Sequence, residues 1–326
     1  MTASTAERRL VLKRIGQAGA VLGASGALAA LGLVGRGRFR HGVAARGLHD
    51  LRVPDEPGRP PLAVARGRDP ASRVRAAVAA LGGMERFVRR GEAVLVKPNF
   101  AWDRTPEQGA NTDPEVVAEV VRLCRAAGAR RVVVADNPVH EAERVATRSG
   151  IRSAVAAAGG DLVLPGASGF EWTRLGGSIL ASWEVLSVLF QADRLINVPV
   201  VKHHSLSRLT CGLKNHMGLI GGTRGRLHQE IHPALVDLAA AFRPTLTVVD
   251  ATRVMMRNGP TGGRLEDVAA VNAVAAGADP VACDAWAARQ LGLDPREVGH
   301  VVLAEGRGLG SLAAGAGPVR EVVANG

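Results

Sequence analysis

Apolar residues recur along the chain in two alternating rhythms. EAVLVKPNF, residues 92–100, places Val94, Leu95 and Val96 in unbroken order and halts at Pro98, which predicts a buried strand. NTDPEVVAEVVRLCRAAGA, residues 111–129, spaces its apolar side chains at helical intervals. Thr112 or Asp113 caps it, Pro114 occupies its first turn and Gly128 stops it. ARRVVVADNP then returns to a strand and a turn. Strand, loop, helix and strand in that order make a βαβ unit, with parallel pairing through a right-handed crossover.

The rhythm repeats on both sides. A helix is predicted from Asp69-Pro70 to about Leu81, and helical segments cover roughly 141–158. DLVLP (161–165), ADRLINVPVV (192–201) and PTLTVVDAT (244–252) read as strands, and HPALVDLAAAF (232–242) as a helix. AVNAVAAGADP leads at Asp279-Pro280 into the helix PVACDAWAARQLG, with Asp279 as its cap. The fold class is therefore α/β: a mostly parallel sheet with flanking helices, as one large domain or two closely packed ones. It is expected over 69–326. Residues 46–68, rich in Pro, Arg and Gly, read as a linker or first edge.

Composition narrows the function. Over 326 residues, 47% hydrophobic and 22% charged positions give ample material for a core. Aromatic residues are only 3%, with no tyrosine, which argues against a nucleic-acid binder that stacks bases on aromatic side chains. The net charge of +11 is partly local, since seven basic residues stand in positions 1–45 against Glu7 alone. The remainder is mildly basic, which suits a solvated arginine-rich face, an acidic substrate or a membrane surface. Cys124, Cys211 and Cys283 are odd in number and contain no CxxC. They support neither a disulfide framework nor an iron–sulfur cluster.

The N-terminus has the order of an address label. ERRLVLK (7–13) precedes the uncharged run of residues 15–34. Arg8, Arg9, Leu12 and Lys13 resemble a twin-arginine export signal, from which Glu7 and Val11 depart. The resemblance implies export of a folded protein by the twin-arginine machinery, with Val43-Ala44-Ala45 as a cleavage site. An uncut run of this length also suits a membrane anchor.

In parallel sheets the ligand crevice lies beyond the carboxyl ends of the strands. Lys97 and Asn99 end one predicted strand, Asp136 and Asn137 the next, Lys202, His203 and His204 a third, and Asp250 with Arg253 a fourth. The densest reactive stretch is KHHSLSRLTCGLKNHMGLIGGT, residues 202–223. Lysines supply positive charge for a carboxylate or phosphate, and neutral imidazoles bind transition metals. Lys97, Lys202 and Lys214 are expected to anchor an anionic small molecule, with Asn99 and Asn215 beside them. His203, His204, His216 and Cys211 form the candidate metal set, with His203 or His204 and His216 as alternative proton carriers. Adjacent side chains diverge, so one of His203 and His204 is expected to enter the cleft. Asp136 or Asp250 would orient these groups, and Asp250 is the stronger acid–base candidate. HQEIH, residues 228–232, lacks the order of a zinc-protease motif. The glycines of 218–226 make a lid or an anion nest without a P-loop lysine.

VLVKPNF, TDPEVVAEVVRLCRAAGARRVVVAD, LINVPVVKHHSLSRLTCGLKNHMGLI and AGADPVACDAWAARQLG together resemble the DUF362 family over residues 90–310. Some members of that family carry an added ferredoxin-like module with iron–sulfur cysteines, which this chain lacks. Residues 111–136 more faintly resemble the first domain of nickel-dependent lactate racemase. The converging polar residues point to an exported α/β protein whose cleft binds an anionic small molecule, with a metal- or cofactor-dependent redox or isomerisation step, or a metal-, cofactor- or anion-binding role without turnover; the family likeness alone adds an iron–sulfur-associated role.

Overall fold

The computed structural model describes residues 45–54, 60–166, 169–314 and 320–324. The expected export signal, with the apolar run 15–34, lies outside the described residues apart from Ala45.

The strands are β1 (Arg46–Gly47), β2 (Leu62–Arg66), β3 (Ala93–Pro98), β4 (Arg131–Ala135), β5 (Asp161–Val163), β6 (Phe170–Arg174), β7 (Ser182–Leu186), β8 (Arg194–Val198), β9 (Val200–His204), β10 (Arg208–Thr210), β11 (Leu246–Met255), β12 (Val268–Gly277) and β13 (Arg320–Val323). The helices are α1 (Pro70–Ala80), α2 (Pro114–Ala126), α3 (Ala142–Arg148), α4 (Ile151–Ala157), α5 (Gly212–Asn215), α6 (Ile231–Phe242), α7 (Pro280–Gln290) and α8 (Gly299–Gly306). The main sheet runs β13-β2-β12-β11-β8-β3-β4-β5, with β9 on β11 and β10 on β9. Its pairings are parallel from β11 through β5, and β12 is antiparallel to both β11 and β2. β1, β6 and β7 form a small separate sheet. The chain is thus the mixed α/β fold, mostly parallel, that its hydrophobic pattern predicts.

Valine and alanine fill the core. One cluster joins Val74, Val78, Val117, Val121, Val94 and Val134 under α1 and α2. Another joins Val249, Ala275, Val281, Trp286 and Val301 under α7 and α8. The caps lie where the sequence puts them: Asp69, Asp113 and Asp279 accept from Ser72, Glu115 and Ala282 amides at 2.8, 2.9 and 2.8 Å.

Four expectations change. Leu62–Ala65 of the expected linker is fully buried as β2, between β13 and β12, because an apolar run hides inside Pro- and Arg-rich flanks. The strand expected over 192–201 is two strands: Pro199 has no amide to donate to a ladder, and the chain passes from β8 to β9 there. Residues 141–158 split into α3 and α4 around Gly150, whose φ of 76° ends the first helix. β11 continues to Met255, which puts Asp250 in mid-strand opposite Val274 and Val200 instead of at a strand end. Among the described residues no helix is long and apolar enough to cross a membrane.

Candidate functional site

β8 and β9 both run parallel to β11, on successive parts of it, so β9 carries the chain past the ends of β3 and β4. Lys202 and His204 on β9, Lys97 at the end of β3 and Asp136 just after β4 therefore reach one opening. The loop after α5 closes over it. The cavity has a volume of about 440 Å3, and Thr210, Lys214, Met217, Arg224, Trp102 and His228 are among the residues of its polar and apolar wall.

Lys97 is saturated. Its ammonium donates to Asp136 Oδ1 at 2.8 Å, Pro98 O at 2.7 Å and Asn215 Oδ1 at 2.9 Å. Asp136 in turn accepts from the Phe100 and Asn137 amides, both at 2.9 Å. Burial lowers the Lys97 pKa, and Asp136 opposes that shift. The pair needs bare backbone above it, since a Cβ on Gly218 would stand 1.7 Å from Asp136 Oδ1 and 2.6 Å from Lys97 Nζ. Asn215 knits the floor, donating to Lys97 O at 3.1 Å and Asn197 Oδ1 at 2.8 Å and accepting from Asn99 Nδ2 at 3.1 Å.

Lys202 and Lys214 are different. Lys202 Nζ donates to Asn99 Oδ1 at 3.1 Å and to Ala110 O. Lys214 Nζ meets Met217 Sδ at 3.3 Å. Among the described residues neither has a carboxylate within 4.0 Å. Burial, then the charge of Lys214, pulls Lys202 down to about 7, and burial with the charge of Arg224 pulls Lys214 down to about 8. Arg224 donates from Nη1 to the Asn137 and Met217 carbonyls and from Nη2 to Pro138 O. Sequence reasoning missed this arginine, although an arginine between the glycines of GGTRGR is the signal that could have found it. Thr210 was missed as well, and its buried hydroxyl has no hydrogen-bond partner.

His204 lines the cavity and His203 does not. This is the divergence expected of neighbours on a strand. His204 Nδ1 accepts the Leu206 and Ser207 amides, both at 3.2 Å, so that nitrogen is unprotonated and Nε2 carries the hydrogen. Burial holds its pKa down at about 3, and its ring stacks on His228 with centroids 6.0 Å apart. His203 turns to the other side, where its Nδ1 faces the Gly259 amide at 3.3 Å.

The remaining candidates lie elsewhere. His216 is fully buried against Phe242, with centroids 5.8 Å apart and neither ring nitrogen hydrogen-bonded. Cys211 is buried beside Asp284, which takes the Leu213 amide at 3.2 Å and sits 3.9 Å from His300 Nε2. Asp250 accepts from the Asp113 and Thr252 amides at 2.8 Å and does not reach the cavity. The four-residue metal set His203, His204, His216 and Cys211 is thus dispersed, because strand alternation and the turn into α5 send its members to separate layers. No group of three His, Cys, Asp or Glu side chains among the described residues is placed to hold a metal ion. The lysines and the two asparagines are gathered, and the cavity is rich in donors and cations.

The chain is 30% identical over 243 residues to the thylakoid-associated protein sll1697 of Synechocystis sp., covering 72% of this chain and 74% of that one. Two solved structures resemble it more distantly. The lactate racemase apoprotein of Thermoanaerobacterium thermosaccharolyticum has a TM-score of 0.44 at 13% identity, covering 72% of this chain and 58% of that one. A structural-genomics protein of Thermotoga maritima has a TM-score of 0.36 at 12% identity, covering 74% and 60%. This chain thus spans about 60% of the length of either solved structure. The model of the domain of unknown function DUF362 matches residues 94–289, which include every residue placed around the cavity above, and the chain belongs to the DUF362 family.

Proposed function

We propose that the cavity binds a small organic anion, with Lys202 and Lys214 as its charged contacts and Arg224, Thr210 and His204 Nε2 as further donors. One observation carries the reading: two buried lysines line the same cavity and, among the described residues, have no carboxylate within 4.0 Å. Isolated buried ammonium groups are costly, and an anionic ligand is what relieves the cost. Asp136 supplies only part of that relief: its charge raises the Lys202 pKa, but its hydrogen bonds go to Lys97 and two backbone amides. A volume of about 440 Å3 suits a metabolite-sized ligand.

Calorimetric titration at pH 6.5 with propionate, glutarate and inorganic phosphate tests this directly. Saturable binding of at least one anion, lost in Lys214→Gln, is the expected result. Equal, unsaturable responses in both proteins would remove the proposal.

The location we infer is the cell envelope, reached by export. It is supported by Arg8-Arg9, by the uncharged run 15–34 and by the thylakoid association in the relative's name. Replacing Arg8 and Arg9 by lysine should retain the protein in the cytoplasm on fractionation of its own host. Unchanged fractionation refutes the export route.

A further inference from the structure

Four of the 41 lysine and arginine residues are lysine: Lys13, Lys97, Lys202 and Lys214. Lys13 precedes the described residues, and the other three all line the one cavity. Elsewhere among the described residues the lysine-or-arginine positions are all arginine, and even this cavity has Arg224. Arginine stays charged at any ordinary pH. A lysine amine can shed its proton and attack a carbonyl. Lysine is therefore concentrated where its particular chemistry has a use.

The three are not equivalent. Lys97 has three acceptors around its nitrogen, one of them the Asp136 carboxylate, so every N–H of the ammonium is occupied. Lys202 has two acceptors, Asn99 Oδ1 and Ala110 O, and neither is charged. A neutral amine has two N–H bonds and one lone pair. With both N–H bonds engaged by those acceptors, the lone pair takes the remaining tetrahedral position of a side chain that lines the cavity.

We propose that Lys202 forms an imine with the ligand, and that the ligand class is the 2-oxo acids. The Lys202 nitrogen forms a bond to the ligand's carbonyl carbon as the carbonyl π pair moves to oxygen, which takes a proton. The carbinolamine then loses that oxygen as water and the nitrogen loses its second proton, leaving C=N. The net change is amine plus ketone to imine plus water, with no oxidant or reductant consumed. Lys214 and Arg224 face the ligand's carboxylate, which is the part of this inference that rests on the anion-binding reading above. Burial and the neighbouring charge of Lys214, which bring Lys202 to about 7, keep a share of it neutral near neutrality.

Borohydride trapping tests the proposal on the full chain. The protein is incubated with pyruvate or 2-oxoglutarate and sodium cyanoborohydride at pH 7, then measured by intact mass and peptide mapping. One reduced adduct on Lys202 is expected, absent in Lys202→Arg and requiring roughly tenfold more 2-oxo acid in Lys214→Gln, the loss of about one charged contact. Propionate or glutarate in excess, which lack the ketone, should suppress the adduct in the unmodified protein, so the result does not depend on a variant folding. An adduct confined to Lys13 or Lys214, or none at all, overturns the imine. If propionate and glutarate still bind by calorimetry in that case, only the imine fails. If they do not bind either, the anion-binding reading fails with it.

Discussion

Residues 202–216 furnish two buried polar regions that solve the same problem in opposite ways. Lys202, His204 and Lys214 go to the cavity, where positive charge exceeds negative and space is left open. Cys211 goes to the interior beneath α7, where Asp284, 0% exposed, takes the Leu213 amide and faces His300, with no cation among the described residues paired to its carboxylate. Burial raises the Asp284 carboxyl to about 7 and lowers His300 to about 3, so below neutrality both are neutral and the interior avoids charge altogether. The cavity instead keeps charge and lowers it only partly. A region that hides its polarity by neutralisation needs nothing further, whereas unpaired cations around a void are what the proposed anion would complete.

The sharpest way to break this contrast is to unpair the one complete ion pair of the cavity. Asp136→Asn leaves Lys97 buried with no carboxylate, and stability should fall by about 3–5 kcal/mol in denaturant unfolding. Lys202→Met should cost far less or even stabilise the unliganded protein, because it removes an unpaired charge rather than creating one. Equal losses in the two variants would mean that Lys97 and Lys202 are not in different electrostatic states. Gly218→Ala strikes the same pair through shape: its methyl would meet Asp136 Oδ1 and Lys97 Nζ, so the loop must move, at roughly 1–3 kcal/mol. A variant as stable as the parent would show that this loop does not lie tightly over the pair.

The interior half of the comparison is tested by pH. The folded pKa of Asp284 is raised above its unfolded value, so the folded state binds the extra proton between about 4 and 7. Its contribution to stability is full at the acid end of that window and is lost as pH rises through about 7. Asp284→Asn removes that loss. Relative to the parent it should gain stability from pH 5 to pH 8 by about 1.4 kcal/mol per pH unit of retained shift, on the order of 2 kcal/mol in all. The same measurement on Lys202→Met should slope the other way, since a lysine lowered to about 7 costs stability most at low pH and least as pH approaches its unfolded value.

The sequence disclosed one of the two regions far better than the other. β3, α2 and α7 were legible because Pro98, Asp113-Pro114 and Asp279-Pro280 punctuate strong apolar periodicity. Lys97, Asn99, Asp136 and Lys202 were legible for a related reason: the carboxyl ends of parallel strands converge, so polar residues there converge too. Asp250 failed that test because β11 runs on to Met255, three residues past the end of PTLTVVDAT at Thr252, and leaves Asp250 in mid-strand. His216 and Cys211 failed because proximity in sequence was taken for proximity in space. Cys211 stands at the turn from β10 into α5, and His216 follows Lys214 by two helical residues, about 200° around the axis, so the two leave the side that Lys214 faces. β2 was hidden because its four buried residues are short beside the proline- and arginine-rich sequence that flanks them.

The smallest effect concerns the cavity's cations as ligand contacts. Both lysines bind an anion only when protonated, and an anion in turn favours their protonated forms. Anion affinity should therefore be flat at low pH and fall as pH rises through about 7 and then about 8, the values set by burial and by the neighbouring cations. Each lost charged contact should weaken binding about tenfold, or ~1.4 kcal/mol, in calorimetry with glutarate. Asp284→Asn must leave that profile untouched, because the interior region lies outside the cavity wall. If the affinity profile instead follows Asp284, the two regions are one coupled system, and the division between a neutralised interior and a charged, receptive cavity does not hold. Stability and affinity then separate cleanly only in the opposite case: raising pH through 8 relieves the empty cavity's buried lysines and, in the same step, removes the charge that holds its ligand.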